Sequence, residues 1–146
     1  MSRYIPDTLK NLVVTRAEYL CEYCLMHEDD AFLAYEIEHI ISLKHGDLSD
    51  ADNLAYACFF CNRHKGSDIA SIAISTGKLL RFFNPRTDRW ADHFQLSGAL
   101  ITPLTDTGEA TVRIFGFNND ERILERETLI TIGRYPTPAA LLRMQR

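Results

Sequence analysis

The sequence predicts an α+β fold, in which a small unit of two strands and a helix follows an N-terminal helix and precedes a longer α/β extension. Three observations support this prediction. The apolar residues change from helical spacing near the N-terminus to the alternation of a strand around residues 34–41. Two cysteine pairs flank the predicted strands. With 146 residues, 46% of them hydrophobic and 25% charged, the chain is large enough to bury a core of its own.

The first half of the chain is predicted to contain a helix, two strands and a second helix. Pro6 favours a helix over residues 6–20, because a first-turn residue needs no backbone N–H and apolar residues follow at helical spacing. Residues 34–41 alternate as a strand does, with Glu38 and His39 on opposite faces. The turn-rich loop 42–52, a strand over 54–57 and a helix over 60–67 follow.

The second half is predicted to mix strands and helices. The strand 78–83 is ended by the sequence Asn-Pro, and two further strands surround Gly98 as a hairpin. The predicted elements after residue 84 are the strands 93–97 and 99–104 and the helices 107–117 and 120–132. The last segment, 136–146, contains two prolines and is expected to fray as a flexible tail.

All the cysteines of the chain stand in two CxxC pairs, CEYC at 21–24 and CFFC at 58–61. A CxxC turn directs two thiolates at one ion, so two turns supply the tetrahedral shell that Zn²⁺ prefers. We predict a structural zinc with the ligands Cys21, Cys24, Cys58 and Cys61. Two disulfides would need an oxidising compartment, and a redox CxxC would need a thioredoxin-like context. The first ten residues lack the apolar run of a signal peptide and no stretch resembles a membrane span, so a cytoplasmic protein is expected.

Three polar motifs lie between the cysteine pairs or directly after them: Glu38-His39, Asp52-Asn53-Leu54 and Asn62-Arg63-His64-Lys65. Hydrolysis of a phosphodiester needs a base that deprotonates water and a divalent cation at the phosphate. His39 is the candidate base. Glu38 and Asn62 offer the oxygen ligands that Mg²⁺ or Mn²⁺ prefers. Glu38 and His39 can share one site only if the strand ends or bends between them.

The charge of the chain is unevenly distributed. The net charge of −4 argues against a nucleic-acid partner, because phosphate binding favours a basic surface. Residues 18–38 contain seven acids and no Lys or Arg, whereas residues 62–92 contain six basic residues and three acids. Arg63, His64 and Lys65 begin this basic stretch and are candidates for contacts with phosphates. From charge alone, the favoured interpretation is that both stretches are ordinary solvated faces.

The motifs CEYC, EHIISLKHGD and DNLAYACFFCNRHKG resemble, in identity, order and spacing, the HNH endonucleases that are stabilised by CxxC pairs. The resemblance covers roughly residues 6–70 and implies the ββα-metal fold of that family. The segment FNPRTDRWADHF and the residues after it resemble the C-terminal extension of uncharacterised bacterial HNH proteins. We therefore expect a zinc-stabilised nuclease unit over 1–72, an extension packed on it over 73–135 and the flexible tail over 136–146.

The resemblance also implies a role for each matched position. His39 would be the general base that activates water, and Asn53 would tie the loop down and orient that base. Asn62 matches a position, often histidine, that binds the catalytic metal, and Glu38 would be a second metal ligand. Lys65 matches a position that contacts phosphate. The implied reaction is the attack of water on phosphorus in DNA, with RNA as the alternative substrate, leaving 5′-phosphate and 3′-hydroxyl ends.

Two other functions are compatible with the sequence. The acidic composition and the asparagine at position 62 favour a zinc-dependent nucleic-acid-binding module that no longer cuts. The acidic stretch 18–38 favours, more weakly, an interaction protein that uses the nuclease fold as a scaffold. Cleavage of nucleic acid, binding without cleavage, or a stable protein partner without DNA affinity would distinguish these hypotheses.

Overall fold

A computed structural model describes residues 4–46 and 48–146, and over these residues the chain is a mixed α+β fold with an N-terminal helix and small hairpins. The helices are α1 (Asp7–Arg16), α2 (Phe59–Lys65), α3 (Trp90–His93), α4 (Asp106–Phe115), α5 (Asp120–Thr131) and α6 (Pro138–Gln145). The strands are β1 (Glu36–His39), β2 (Leu54–Ala57), β3 (Ala70–Ile72), β4 (Leu79–Arg81), β5 (Phe94–Ser97) and β6 (Leu100–Pro103). None of these helices combines the length and the apolar character that a membrane span requires.

Helix α1 begins after Pro6, as predicted, but it is shorter than the predicted range 6–20. Glu18 and Tyr19 adopt φ angles of 58° and 61°, a left-handed conformation that cannot continue a right-handed helix. The chain therefore turns just before the first cysteine pair. Val13 is fully buried and packs in a small cluster with residues of β2, so that α1 covers one side of the first hairpin.

The ββα unit consists of β1, β2 and α2. The strands pair antiparallel with Glu38 opposite Ala55 and His39 opposite Leu54. All four residues of β2 are buried, so this strand forms the inner part of the unit. Cys58 directly follows β2 and caps α2, because its sulfur accepts a hydrogen bond from the amide of Cys61 at 3.4 Å. The predicted strands and helix of this unit are thus confirmed, with bounds that differ by one or two residues.

The second half of the chain packs on the ββα unit through a shared apolar core. The hairpin β5–β6 and the helices α4 and α5 lie where the sequence predicts them, and β3–β4 adds a second hairpin of which only the later strand was predicted. Phe94, Phe115 and Phe117 are almost fully buried in one cluster with the cysteines. The indole of Trp90 donates a hydrogen bond to the carbonyl of Tyr23 at 2.8 Å, within the first CxxC pair.

The expectation of a flexible tail over residues 136–146 is corrected by the structure, because most of this segment forms helix α6. Thr137 caps this helix by accepting a hydrogen bond from the amide of Ala140 at 3.1 Å, and Pro138 occupies its first turn. Arg143 then reaches back to Glu18, with 3.1 Å between the guanidinium and the carboxylate. Proline interrupts most helices, but Pro138 stands in the first turn, where proline favours the start of a helix.

Candidate metal centre and active site

The four cysteine sulfurs form one buried cluster. The sulfurs of Cys21, Cys24, Cys58 and Cys61 all lie within 4.8 Å of one another. The sulfurs of Cys24 and Cys58 are 3.8 Å apart, and a tetrahedral zinc with bonds of about 2.3 Å would separate two sulfurs by about 3.8 Å. The four residues are free thiols, not disulfides. The cluster therefore has the size and the donor set of a structural zinc site, as the cysteine spacing predicts.

The pKa shifts of the buried thiols also favour a cation at this site. Burial raises the pKa of Cys21 and of Cys61, whereas hydrogen bonds from the other cysteines lower the pKa of Cys24. One thiolate is thus favoured at the expense of its neighbours, because several negative charges cannot share a buried site without a cation. A divalent ion removes that conflict and allows all the sulfurs to bind it as thiolates.

His39 and Glu38, adjacent in sequence, lie on opposite faces of β1. The regular pairing of β1 with β2 excludes a bend between them. The imidazole Nε2 of His39 lies 2.8 Å from the hydroxyl oxygen of Ser49, in the loop that follows β1. Which of the two groups donates this hydrogen bond depends on the imidazole tautomer. Ser49 gave no sequence signal, because its contact depends on how the loop folds back.

Glu38 points into the protein and forms a buried ion pair. Its carboxylate lies 3.0 Å from the ammonium of Lys65 and also accepts a hydrogen bond from the hydroxyl of Tyr23. Lys65 is 2% exposed and donates a second hydrogen bond, of 3.1 Å, to the backbone carbonyl of His39. Burial raises the pKa of Glu38 in spite of the opposing charge of Lys65.

This pair corrects two expectations. Both carboxylate oxygens of Glu38 are engaged by buried protein groups on the face of β1 opposite His39, so Glu38 is not placed as a ligand for a metal beside that imidazole. Lys65 is buried and not placed to contact phosphate. The two residues instead fix the end of β1 to the last turn of α2.

Asn53 holds the loop between β1 and β2. Its side-chain oxygen accepts a hydrogen bond from the amide of Ile41 at 2.8 Å, and its side-chain nitrogen donates to the carbonyls of Ile41 and Leu48 at 2.8 and 3.0 Å. Arg16, at the end of α1, supports the same loop by donating to the carbonyls of Ala51 and Leu54 at 3.0 and 2.9 Å. The contribution of Arg16 comes from an earlier helix, and no motif in the sequence indicated it.

The polar residues of α2 point to different places. Asn62 is partly exposed and lies one turn before Lys65 on α2. Arg63 is exposed, with its guanidinium 5.4 Å from the centre of the Phe59 ring. His64 makes a 2.8 Å hydrogen bond between Nδ1 and the carbonyl of Phe115 in α4. The imidazole that was expected at a phosphate thus anchors α2 to the second half of the chain.

Several cations of the basic stretch 62–92 are paired with acids. Arg81 forms a two-pronged ion pair with Asp88, at 2.6 and 3.1 Å. Arg86 pairs with Glu22, which is fully buried beside the first cysteine pair. The local excess of basic residues therefore contributes less free positive surface than the sequence suggests.

A β-hairpin followed by a helix, with four buried cysteines clustered at its ends, is consistent with a zinc-binding HNH domain. Residues 21–68 match the family described as HNH endonuclease, and this segment is an HNH endonuclease domain. Proteins of this family are typically phosphodiester hydrolases and act on nucleic acid. No curated protein and no solved structure matches the chain.

Proposed function

We propose that this protein is a divalent-metal-dependent endonuclease that hydrolyses phosphodiester bonds of DNA, with His39 as the general base. The observation that supports this most directly is the placement of His39 within the HNH domain. Its imidazole lies on the face of β1 that is not used by the Glu38–Lys65 pair, in contact with the loop that Asn53 holds.

In this proposal, His39 accepts a proton from the water that attacks phosphorus. Ser49 holds the imidazole through Nε2 and thereby fixes the orientation of the ring. Asn53 acts on His39 through Ser49, because it fixes the backbone of the loop that carries Ser49. Asn53 is therefore a positioning residue.

The proposed catalytic ion would be held by the side-chain oxygen of Asn62 and by the phosphate of the substrate. Mg²⁺ commonly takes only one or two protein ligands and completes its shell with water and phosphate oxygens. When bound, such an ion would stabilise the negative charge on the phosphate oxygens and on the leaving oxygen. Among residues 4–46 and 48–146, the cysteines are the one cluster of three or more possible His, Cys, Asp or Glu ligands, so the protein contribution to this second site is small.

We further propose that the ion at the cysteines is zinc and that it is structural. A shell of four thiolates leaves no coordination position for water or substrate, so this ion supplies folding free energy and not catalysis.

Incubation of the purified protein with plasmid DNA and Mg²⁺ or Mn²⁺ tests the proposal. We expect nicking or linearisation that needs the added ion and is lost in His39→Ala, while the circular dichroism spectrum of this variant stays native. Cys24→Ser should lose both the activity and the native spectrum. Ser97→Ala, at an exposed position of the β5–β6 hairpin, is the control that should cleave normally. Cleavage that persists unchanged in His39→Ala would exclude the proposed role of this residue.

A second candidate function is nucleic-acid binding without cleavage. It is favoured by the buried Glu38–Lys65 pair, which leaves few oxygen ligands near His39, and by the net charge of −4. The same preparations distinguish the two functions. Binding of labelled DNA that does not depend on Mg²⁺ or Mn²⁺, with intact DNA recovered under every divalent ion, would select the binding module.

A further inference from the structure

Arg122 brings the second half of the chain into contact with the cysteine cluster. It lies in the first turn of α5, yet its Nη2 is 3.1 Å from the sulfur of Cys24 and 3.6 Å from that of Cys58. The side chain is 3% exposed, so these contacts are made away from water. One guanidinium nitrogen therefore faces one sulfur from each CxxC pair.

The rest of the Arg122 side chain is held in place by two further contacts. Its Nη1 donates to the carboxylate of Glu125 at 3.0 Å, and its guanidinium carbon lies 4.7 Å from the centre of the Phe60 ring. These contacts fix the guanidinium beside the two sulfurs.

Electrostatics gives this contact a consequence for metal binding. A divalent ion with four thiolates has a net charge of −2, which is costly to bury without a counter-charge. Arg122 supplies one positive charge at hydrogen-bond distance. Neutral thiols would not compensate the guanidinium in the same way, so the metal-bound cluster and the docked helix α5 favour each other.

We propose that Arg122 is an outer-sphere partner of the metal–thiolate centre, through which docking of α5 slows the loss of the metal. This role rests on the proposed metal at the cysteines and not on nuclease activity. It makes metal retention a property of both halves of the chain, although the HNH match ends at residue 68.

The rate of zinc transfer to a chromogenic chelator tests the proposal. In zinc-loaded full-length protein, Arg122→Gln should release zinc at least tenfold faster than the wild type, and Arg122→Lys, which keeps a charge and a donor, should be intermediate. Arg134→Gln is the matched control. Arg134 also joins the two halves, through a 2.9 Å ion pair with Asp30, but it is not in the sulfur contacts. Its zinc release should equal that of the wild type.

Cobalt substitution adds a readout that a general loss of stability would not move. A hydrogen bond lowers the energy of the sulfur electrons, so Arg122→Gln should shift the sulfur-to-cobalt charge-transfer band to longer wavelength. If Arg122→Gln does not fold, Arg122→Lys decides the matter by the same two measurements. An unchanged band with an unchanged release rate, or equal acceleration in Arg134→Gln, would overturn this role alone. A wild-type protein that takes up no zinc would overturn the metal centre as well.

Discussion

At the scale of single residues, the ion pair between Glu38 and Lys65 shows how the HNH domain is held together around its candidate site. Both groups are almost fully buried, and each has a second partner, the hydroxyl of Tyr23 for Glu38 and the carbonyl of His39 for Lys65. A buried pair of this kind adds little net stability compared with apolar residues, but removing one partner leaves an uncompensated charge.

Lys65→Met should therefore destabilise the protein by about 3–5 kcal/mol, because Glu38 would remain buried without its counter-charge. The double variant Glu38→Gln with Lys65→Met should recover part of that loss, since the amide still accepts a hydrogen bond from Tyr23. The measurement is the free energy of unfolding in urea, with the exposed Lys78→Met as the control. If Lys65→Met cost no more than Lys78→Met, the ion pair would not have the structural importance inferred here.

The same residues explain what the sequence could and could not predict at this scale. The cysteine cluster was predictable because a CxxC turn is local, and the placement of His39 opposite Glu38 follows from strand alternation alone. The partner of Glu38 was not predictable, since Lys65 lies 27 positions further along the chain and meets it only after the hairpin and α2 have packed. The contact of Arg122 with the sulfur of Cys24 joins residues that are even further apart in the sequence.

At the scale of elements, helix α4 approaches the end of α3 so closely that only glycine, which has no side chain, fits at position 108. A Cβ atom at Gly108 would lie 2.3 Å from the backbone carbonyl oxygen of His93. Thr105 connects the same two elements, because its hydroxyl accepts the capping hydrogen bond from Gly108 and also lies 2.6 Å from Nδ1 of His93. The glycine is required by this contact and not by the helix itself.

Gly108→Ala separates the effect of helix propensity from that of the close contact with the backbone of His93. Helix propensity favours alanine over glycine by about 1 kcal/mol, but the clash with rigid backbone should prevail and give a net destabilisation of about 1–3 kcal/mol. Thr128→Ala on the exposed face of α5 is the control: it gains helix propensity and removes only a solvent-exposed hydrogen bond to the carbonyl of Leu124, so stability should not fall. Thermal unfolding followed by circular dichroism measures both. A Gly108→Ala protein more stable than the wild type would show that α4 can move away from α3.

Elements were predictable wherever periodicity or turn chemistry was strong. The hairpin around Gly98 and the helices α4 and α5 follow from such patterns, and they lie close to their predicted ranges. Strand β3 has three residues and no alternation long enough to recognise. Helix α6 was missed because Thr137-Pro138 has the composition of a loop, although the same pair is a helix start.

At the scale of the whole molecule, the cysteine cluster and the second half of the chain belong to one apolar core. The cysteines share a cluster with Phe83, Phe94 and Phe115, and Glu22 is paired with Arg86 from beyond β4. We propose that the nuclease unit, 1–72, and the extension, 73–135, unfold together in spite of being separate in the sequence. Each half covers apolar surface that the other would expose to water.

Removal of the metal should then unfold both halves in one transition. Trp90, the only tryptophan of the chain, lies outside the HNH match, but it is 4% exposed and hydrogen-bonded to the carbonyl of Tyr23 between two of the cysteines. Addition of a strong zinc chelator should therefore shift its fluorescence to longer wavelength in parallel with the loss of far-ultraviolet circular dichroism, because coincidence of two probes is the mark of a single cooperative unit. Zinc, but not Mg²⁺, should restore both signals, and Cys24→Ser should have the spectra of the chelator-treated protein without any chelator.

Fluorescence that stays at short wavelength while the dichroism falls would contradict this prediction. It would mean that the extension folds without the metal, and that the contacts of Trp90 and Arg122 are consequences of docking and not conditions for folding.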